Sequence, residues 1–543
     1  MKMVSSLEKC FHDDTISSKK QKNEFFMFKN ERLSFQVAYR IKDPEHTVLR
    51  KAGVKLSGAL AKYAKLRIVT NVLNMFPTYL NDVGGEFITK KVGAYPDVLR
   101  PFVYPNAVTI PYSQTHAIWV DIELPEDFEA GKYDIGLSIY SEKGDECYGT
   151  VTGKVTVVDA LLPEQKLIHT EWFYTDSIAN YYHTKAFSEK HWKYIENFMR
   201  TATRNGINMI LTPLFTPELD TYVGGERLTT QLVDIELVGE NKYAFNFDKL
   251  NRWIDLALDC GYKYFEMPHM FTQWGSKAAP KIIVKVNGRN KKYFGWKTDA
   301  LGDEYEAFLS QFIPAVIGVF KDRGLDDKIF FHVSDEPSSK VLEHYKKCKQ
   351  LIEKYVGDYP IIDALSHLEF YTMGVLKKPV PHIARAEEFY DAGVEGLWTY
   401  YCGGGSKGTT DRSMSMPTRR TRILGVQLYK YNIEGFLHWG YNFYNSCDSY
   451  SKLDPYANVD GSYFTPSGDC FLVYPAPDGT AYESIRLNAL REAVDDMRAL
   501  SLYEEKFGRE KALALVGDMT FKEYPTTDEY FINLRETIAK AFM

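Results

Sequence analysis

The residues with the most chemical potential stand in Phe330-Phe331-His332-Val333-Ser334-Asp335-Glu336-Pro337. Two carboxyl side chains follow one another where an apolar strand-like run ends. A carboxylate is costly to desolvate unless it is hydrated or paired, so the pair points to a polar cavity or to a surface. Neighbouring strand residues face opposite sides of a sheet. For both acids to enter one cavity the strand must break before them, and Pro337 favours a break there. The plainer alternative is a helix start, because Asp and Glu suit a first turn and Pro337-Ser338-Ser339 could open one. In the catalytic alternative the pair is Asp335 and Glu336.

Polar and aromatic residues gather at the ends of other expected strands. Glu171, Trp172 and Asp176 follow one; His269, Gln273 and Trp274 another; Asp363, His367, Glu369 and Tyr371 a third. Trp398, Tyr400 and Tyr401, then His438, Trp439, Tyr441, Asn442 and Tyr444, complete the set. Apolar ring faces beside hydrogen-bonding edges suit a pyranose, which has an apolar face and a polar rim. The expected substrate contacts are Trp172, His269, Trp274, Tyr371, Tyr400, Trp439, Tyr441 and Asn442. Taken singly, each aromatic could equally pack a core. His269, His332, Asp335 and Glu336 lack the helical spacing of H-E-x-x-H, so no metal is expected and His332 should pack or hydrogen-bond within its strand. Gly403-Gly404-Gly405-Ser406 lacks the G-K-[ST] of a phosphate loop, and no cofactor is expected. Arg419-Arg420-Thr421-Arg422 reads as a helix face or a salt-bridge supplier rather than a nucleic-acid patch.

The elements that must position these groups fall into two textures. From about residue 24 to 158, Leu33–Tyr39, His116–Leu124, Tyr133–Tyr140 and Val151–Val158 alternate apolar with polar residues. That period of two argues for half-buried antiparallel strands and an N-terminal β-sandwich. After Leu161-Leu162-Pro163-Glu164, helices and short apolar strands alternate. Ser188 can cap a helix carrying Trp192, Ile195, Met199 and Ala202 on one face. Asp248 starts another, with Leu250, Trp253, Ile254, Ala257 and Leu258 at helical spacing and Gly261 as its stop. Alternation of this kind implies a parallel sheet with crossover helices. Seven strands stand out, and one near 379–384 would make eight. The expected architecture is therefore multidomain: a sandwich over 1–160, a (β/α)8 TIM-type barrel over 161–480, and C-terminal helices over 481–543. Two inserts, about 213–247 and 268–302, follow strands and so belong on the face where barrels build active sites. The second carries Asn287-Gly288, a tight hairpin signal.

Composition narrows the class. The chain has 543 residues, 66 Lys and Arg against 72 Asp and Glu, and a net charge of −6. It is an ordinary globular balance with no drive toward nucleic acid or anionic membrane. Aromatic residues reach 15%. The N-terminus lacks an apolar leader pattern, no run is long enough to span a bilayer, and the seven scattered cysteines form no C-x-x-C. Reduced thiols in the cytoplasm are expected. The oligomeric state is open, a homo-oligomer included.

Together these residues resemble glycoside hydrolase family 123. The resemblance runs nearly end to end. It rests on Asn30–Gln36, Tyr95-Pro96-Asp97, Ala130–Tyr133, Glu171-Trp172-Phe173, Leu211-Thr212-Pro213 and Glu266–Trp274. Its most specific pieces are His332–Pro337, Phe436–Asn442, and Val473-Tyr474-Pro475 with Ser484-Ile485-Arg486. The resemblance implies an exo-β-N-acetylgalactosaminidase whose catalytic Asp-Glu falls on Asp335 and Glu336. A cytoplasmic enzyme would meet a small imported oligosaccharide rather than a polymer.

Adjacent acids suit neighbouring-group catalysis. A retaining enzyme with its own nucleophile needs carboxyl groups about 5–5.5 Å apart on opposite sides of the scissile bond, which consecutive residues can hardly provide. If the sugar's 2-acetamido oxygen attacks instead, Glu336 is expected to be the acid, holding its proton through burial and the charge of Asp335. Asp335 is expected to orient the acetamido nitrogen, with Trp439 walling its methyl. The alternatives are a glycosidase for a sugar without the acetamido group and a non-hydrolytic carbohydrate-binding protein.

Overall fold

The computed structural model describes residues 1–41, 48–80, 86–403 and 408–543. Two five-stranded sheets occupy the N-terminal part. One runs in the order Lys2–Ser5, Arg32–Tyr39, His116–Glu123, Ala64–Asn74, Gly93–Arg100. The other runs Glu24–Lys29, Cys147–Leu161, Gly131–Tyr140, Val48–Ser57, Ala107–Pro111. The alternation has its cause in their shared core: Phe35, Val37, Ile118 and Val120 of the first sheet meet Met27, Ile135, Leu137 and Val155 of the second. One strand departs from the antiparallel expectation. Glu24–Lys29 lies parallel to Cys147–Leu161, which the long intervening chain permits.

Eight short parallel strands follow: β1 (Ile168–Glu171), β2 (Met209–Leu211), β3 (Tyr264–His269), β4 (Ile329–His332), β5 (Ile362–Ala364), β6 (Lys378–Val380), β7 (Trp398–Tyr400) and β8 (Gly435–His438). Six form one sheet in the order β4-β3-β2-β1-β8-β7, and β5 pairs with β6 alone. Parallel bridges tie that pair to both edges of the larger sheet, Phe331 to Ile361 and His382 to Tyr400. Strand β6 falls at the start of the stretch expected to supply it. The helix Glu189–Arg204 is capped by Ser188 and buries Trp192, Ile195, Met199 and Ala202. The helix Asp248–Cys260 buries Leu250, Trp253, Ile254 and Ala257 and ends at Gly261, φ 102°; Leu258 instead faces solvent.

The two inserts meet as one four-stranded sheet, Lys242–Asn246, Asp234–Gly239, Ile282–Val286 and Arg289–Phe294. Asn287 and Gly288 both take positive φ, 50° and 77°, as a type I′ turn requires.

At the C-terminus, Ser484 caps the helix Ile485–Phe507, which lies against the helix Thr418–Lys430. Contact is close at Gly425, where a Cβ would stand 1.8 Å from the Ala493 carbonyl oxygen. Arg422 grips Asp496 with two hydrogen bonds of 2.6 and 2.8 Å and Glu492 with one of 2.9 Å. It is a salt-bridge supplier between those helices. The N-terminal sheets are bolted on through buried charges. Asp97 accepts from Arg486 at 3.0 and 2.9 Å and from the Tyr474 hydroxyl at 2.6 Å. Three of the motifs that carry the family resemblance therefore meet at this one joint. No described helix is long and apolar enough to cross a membrane.

Candidate active site

Strand β4 stops at His332, before the acid pair. The Asp363 carboxylate, at the centre of β5, takes the next two backbone N–H groups, Val333 at 3.0 Å and Ser334 at 3.4 Å. The chain then turns: Glu336 has φ 42° and its N–H donates to the Ala364 carbonyl at 3.0 Å. A left-handed non-glycine residue is strained and is held by its surroundings. The turn replaces strand alternation, and both acids reach one cavity of about 210 Å³. That is the room of about seven waters at liquid density, on the scale of one sugar ring.

Trp172, Trp274, Tyr400 and Trp439 line the cavity beside Asp335 and Glu336. The Tyr400 hydroxyl donates to Glu336 Oε1 at 2.5 Å. Trp274, half exposed and at φ 58°, donates its N–H to the Asp335 carbonyl at 2.9 Å. Burial pushes the Asp335 carboxyl well above the usual carboxylate range, reinforced by the charges of Glu336, Asp220 and Asp363. The raised pKa thus falls on Asp335, the residue expected to carry the charge.

Two buried networks hold this arrangement. Under the pair, His332 donates from Nε2 to Glu266 at 2.6 Å and from Nδ1 to Asp363 at 3.0 Å. Burial alone would lower its pKa, but the two carboxylates outweigh it and push the imidazole up to about 9. Glu266 also accepts the Trp172 indole N–H at 2.7 Å, so one carboxylate orients both the acid-bearing strand and a cavity wall. Beneath Trp439, the Gly440 N–H donates to His438 Nδ1 at 2.9 Å. That leaves Nε2 to carry the hydrogen and donate to Asp469 at 3.0 Å. Asp469 also accepts from the Trp439 indole and the Gly403 N–H, each at 3.0 Å. Burial opposes its charge, but His438 and Arg412 outweigh burial and hold it down to about 2.

Four of the expected contact residues lie elsewhere. The Tyr441 ring is fully buried against Phe173 and its hydroxyl donates to the Phe198 carbonyl at 2.8 Å. Asn442 clamps the backbone of Tyr174 from both sides, at 2.8 and 3.1 Å. Tyr371 sits on the short helix Glu369–Thr372, its hydroxyl 3.4 Å from the Gly393 carbonyl. His269 is buried edge-on to Trp172, its ring centroid 4.3 Å from that of His332 at a 30° tilt, and burial drives its pKa well down. His269, His332 and Asp363 are close enough to share an ion. His332, however, has both nitrogens engaged by carboxylates, and an ion there would break those bonds. Of the glycine loop, residues 404–406 lie outside the described residues.

The cavity also has walls that strand reasoning missed: Asp220 from the first insert, Asp469, Phe464 and Thr465 from the loops after β8, and Tyr79 from the N-terminal part. Burial pushes Asp220 up to about 7, against the pull of Arg227 and with help from Glu336 and other carboxylates. The insert's position after β2 signalled Asp220's neighbourhood; nothing in the sequence signalled Tyr79.

The sequence profile of the glycoside hydrolase 123 catalytic domain matches residues 172–503. The fold matches that of a family 123 glycoside hydrolase from Clostridium perfringens, described for glycolipid glycan hydrolysis. The TM-score is 0.74 over 100% of this chain and 97% of that one, at 16% identity. A family 5 mannosidase from Rhizomucor miehei, at TM-score 0.30, 11% identity and 63% and 94% coverage, is too distant to argue from. So is a family 10 xylanase from Thermobacillus composti, at 0.31, 12%, 61% and 96%. Among curated protein sequences nothing matches. With its profile match spanning the acid pair, every named cavity wall but Tyr79, and most of the helix Ile485–Phe507, the chain belongs to glycoside hydrolase family 123.

Proposed function

We propose that the protein is a retaining, exo-acting glycoside hydrolase that releases terminal β-linked N-acetylhexosamine, N-acetylgalactosamine by preference, through the substrate's own acetamido group. The observation that carries this reading is the pair Asp335 and Glu336 entering one cavity from consecutive positions, with Glu336 fixed by Tyr400. Acids so placed serve one side of a sugar rather than straddling its glycosidic bond.

The acetamido oxygen attacks C1 while Glu336 gives a proton to the departing glycosidic oxygen. Tyr400 occupies Glu336 Oε1, leaving Oε2 to hold that proton. The acetamido nitrogen gains positive charge as the five-membered ring closes, and Asp335 accepts its N–H. Burial and three carboxylates disfavour charge on Asp335 in the empty cavity, and the arriving N–H is the donor that offsets this. The Glu336 carboxylate then takes a proton from water as the water oxygen bonds to C1. The ring reopens and β configuration is retained.

The same reading takes β1 to β8 as one closed (β/α)8 barrel, supported by the two bridges that join β5–β6 to the larger sheet. It takes the N-terminal sheets as a sandwich over 1–160, the barrel as 161–480 and the remaining helices as packed on it. Seven unpaired cysteines support a reducing, cytoplasmic setting and hence a small oligosaccharide substrate.

A second reading has one observation in its favour. Asp220 lines the cavity from another element and could serve as nucleophile on a sugar without the acetamido group. Aryl β-GalNAc, β-GlcNAc and plain hexosides, with a thiazoline mimic of the cyclised intermediate, separate the two. Hydrolysis of acetamido sugars blocked by the thiazoline is expected. Turnover of plain hexosides alone, unaffected by thiazoline, would reject the first reading, and binding without turnover would favour a non-hydrolytic protein.

A further inference from the structure

Asp220 takes no part in the acid pair, yet its side chain lines the same cavity. Its backbone is left-handed, φ 53°, and it is pinned from across the rim. The Ser449 hydroxyl donates to the Asp220 carbonyl at 2.9 Å, and the Tyr222 N–H donates to the Asp448 carbonyl at 3.2 Å. Asp448 and Ser449 are themselves left-handed, φ 51° and 56°. Three strained non-glycine residues at one junction persist because the surrounding structure enforces them, a pattern that gathers at ligand clamps.

The cavity's carboxylates differ in what they accept. Asp469 is saturated by His438, Trp439, Gly403 and Thr465. Glu336 has Tyr400. Asp335 is assigned to the acetamido nitrogen. The cation nearest Asp220 in sequence, Arg227, is spent on Asp176 at 2.9 and 2.6 Å and on the Leu219 carbonyl. Among the described residues none donates a hydrogen bond to the Asp220 carboxylate. This part-buried carboxylate, facing the cavity with no protein donor, is an acceptor open to a ligand. Hydroxyl groups are the donors a sugar ring has left once its acetamido group is engaged.

We propose that Asp220 is a specificity-determining residue that accepts hydrogen bonds from ring hydroxyls of the terminal sugar, reading its hydroxyl pattern from the insert side of the cavity. The assignment rests on the glycosidase reading above and deepens it. A site that hydrogen-bonds a substrate hydroxyl discriminates strongly against the analogue lacking it.

The test is kcat and KM for wild type, Asp220→Asn and Asp220→Ala on aryl β-N-acetylhexosaminides and their 3-, 4- and 6-deoxy analogues. Wild type is expected to lose about 10- to 100-fold in kcat/KM at one or two deoxy positions, as for a hydrogen bond to a charged group. In Asp220→Ala that penalty collapses to within about threefold, while penalties at other positions persist. The isosteric Asn variant answers the same question should Ala perturb folding. Deoxy penalties that survive unchanged in both variants overturn the proposal. So does azide rescue of Asp220→Ala with formation of a glycosyl azide, which would make Asp220 the nucleophile. If wild type cleaves only plain hexosides, the acetamido reading fails, and the same comparison on deoxy hexosides still decides the role of Asp220.

Discussion

Tyr400 donates its hydroxyl to Glu336 Oε1 at 2.5 Å, from the end of β7 to the loop after β4. Those strands are the two edges of the six-stranded sheet, so the bond closes the cavity across the place where β5 and β6 sit. If Glu336 is the acid, its loss matters most when the leaving group is poor. Glu336→Gln is expected to lower kcat about 10²- to 10⁴-fold on alkyl glycosides and far less on nitrophenyl glycosides. Tyr400→Phe should repeat the pattern more weakly, about tenfold. Equal losses on both substrate classes would show that neither residue serves the leaving group.

Asp335 is held against its own ionisation. Its folded-state pKa lies above the unfolded value, so raising the pH through that interval ionises a group the fold disfavours charging. Stability is lost as pH rises, the reverse of the usual paired carboxylate. Asp335→Asn should therefore abolish activity yet raise stability at pH 8, by about 1.4 kcal/mol for each tenfold weakening of the acid in the fold. The gain should shrink toward pH 4. Urea unfolding at both pH values checks it; a variant less stable than wild type at pH 8 would contradict it.

His332 shifts stability with pH in the same direction, but as a group whose charged form the fold favours. Its pKa is raised from 6.5 to about 9 in the fold. Its contribution is complete below 6.5 and fades as pH rises through 9. That difference corresponds to ~3 kcal/mol. His332→Gln should be clearly less stable than wild type at pH 6, and the gap should narrow by pH 10. A gap that stays constant across that range would mean His332 is not an imidazolium between Glu266 and Asp363.

The N-terminal part reaches the cavity through Tyr79, in contact with Phe76, whose carbonyl accepts the Ser467 N–H at 2.9 Å. Tyr79→Ala should raise KM about three- to tenfold with kcat little changed, the mark of lost uniform binding. Steady-state kinetics decide it. An unchanged KM would make the contact structural only.

Periodicity made the elements legible. Phe35, Val37, Ile118 and Val120 alternate because one face packs on the second sheet, while the opposite face, with Gln36, Trp119 and Asp121, is buried with more polar residues. Alternation selects a face and not a partner, so the parallel seat of Glu24–Lys29 was hidden. The acid pair was legible because two carboxyls end an apolar strand. The walls were half legible, because a strand end sets height on the rim but not direction. Past strands only three to six residues long, direction is decided by turns such as Glu336 at 42° and Trp274 at 58°. Trp274 is thereby turned to the cavity, while Tyr441 and Asn442 turn into packing and backbone clamps. Asp220, Asp469 and Tyr79 arrive on loops whose course no local pattern encodes.

The central claim is that the substrate's amide oxygen is the nucleophile. Fluorine on the acetamido methyl withdraws electron density from that oxygen and leaves Asp335 and Glu336 untouched. Measure kcat/KM for aryl β-glycosides carrying N-acetyl, N-fluoroacetyl, N-difluoroacetyl and N-trifluoroacetyl groups. The mechanism predicts a steep monotonic fall along the series, with β-configured product throughout. A flat series, or an α-configured product, would contradict it.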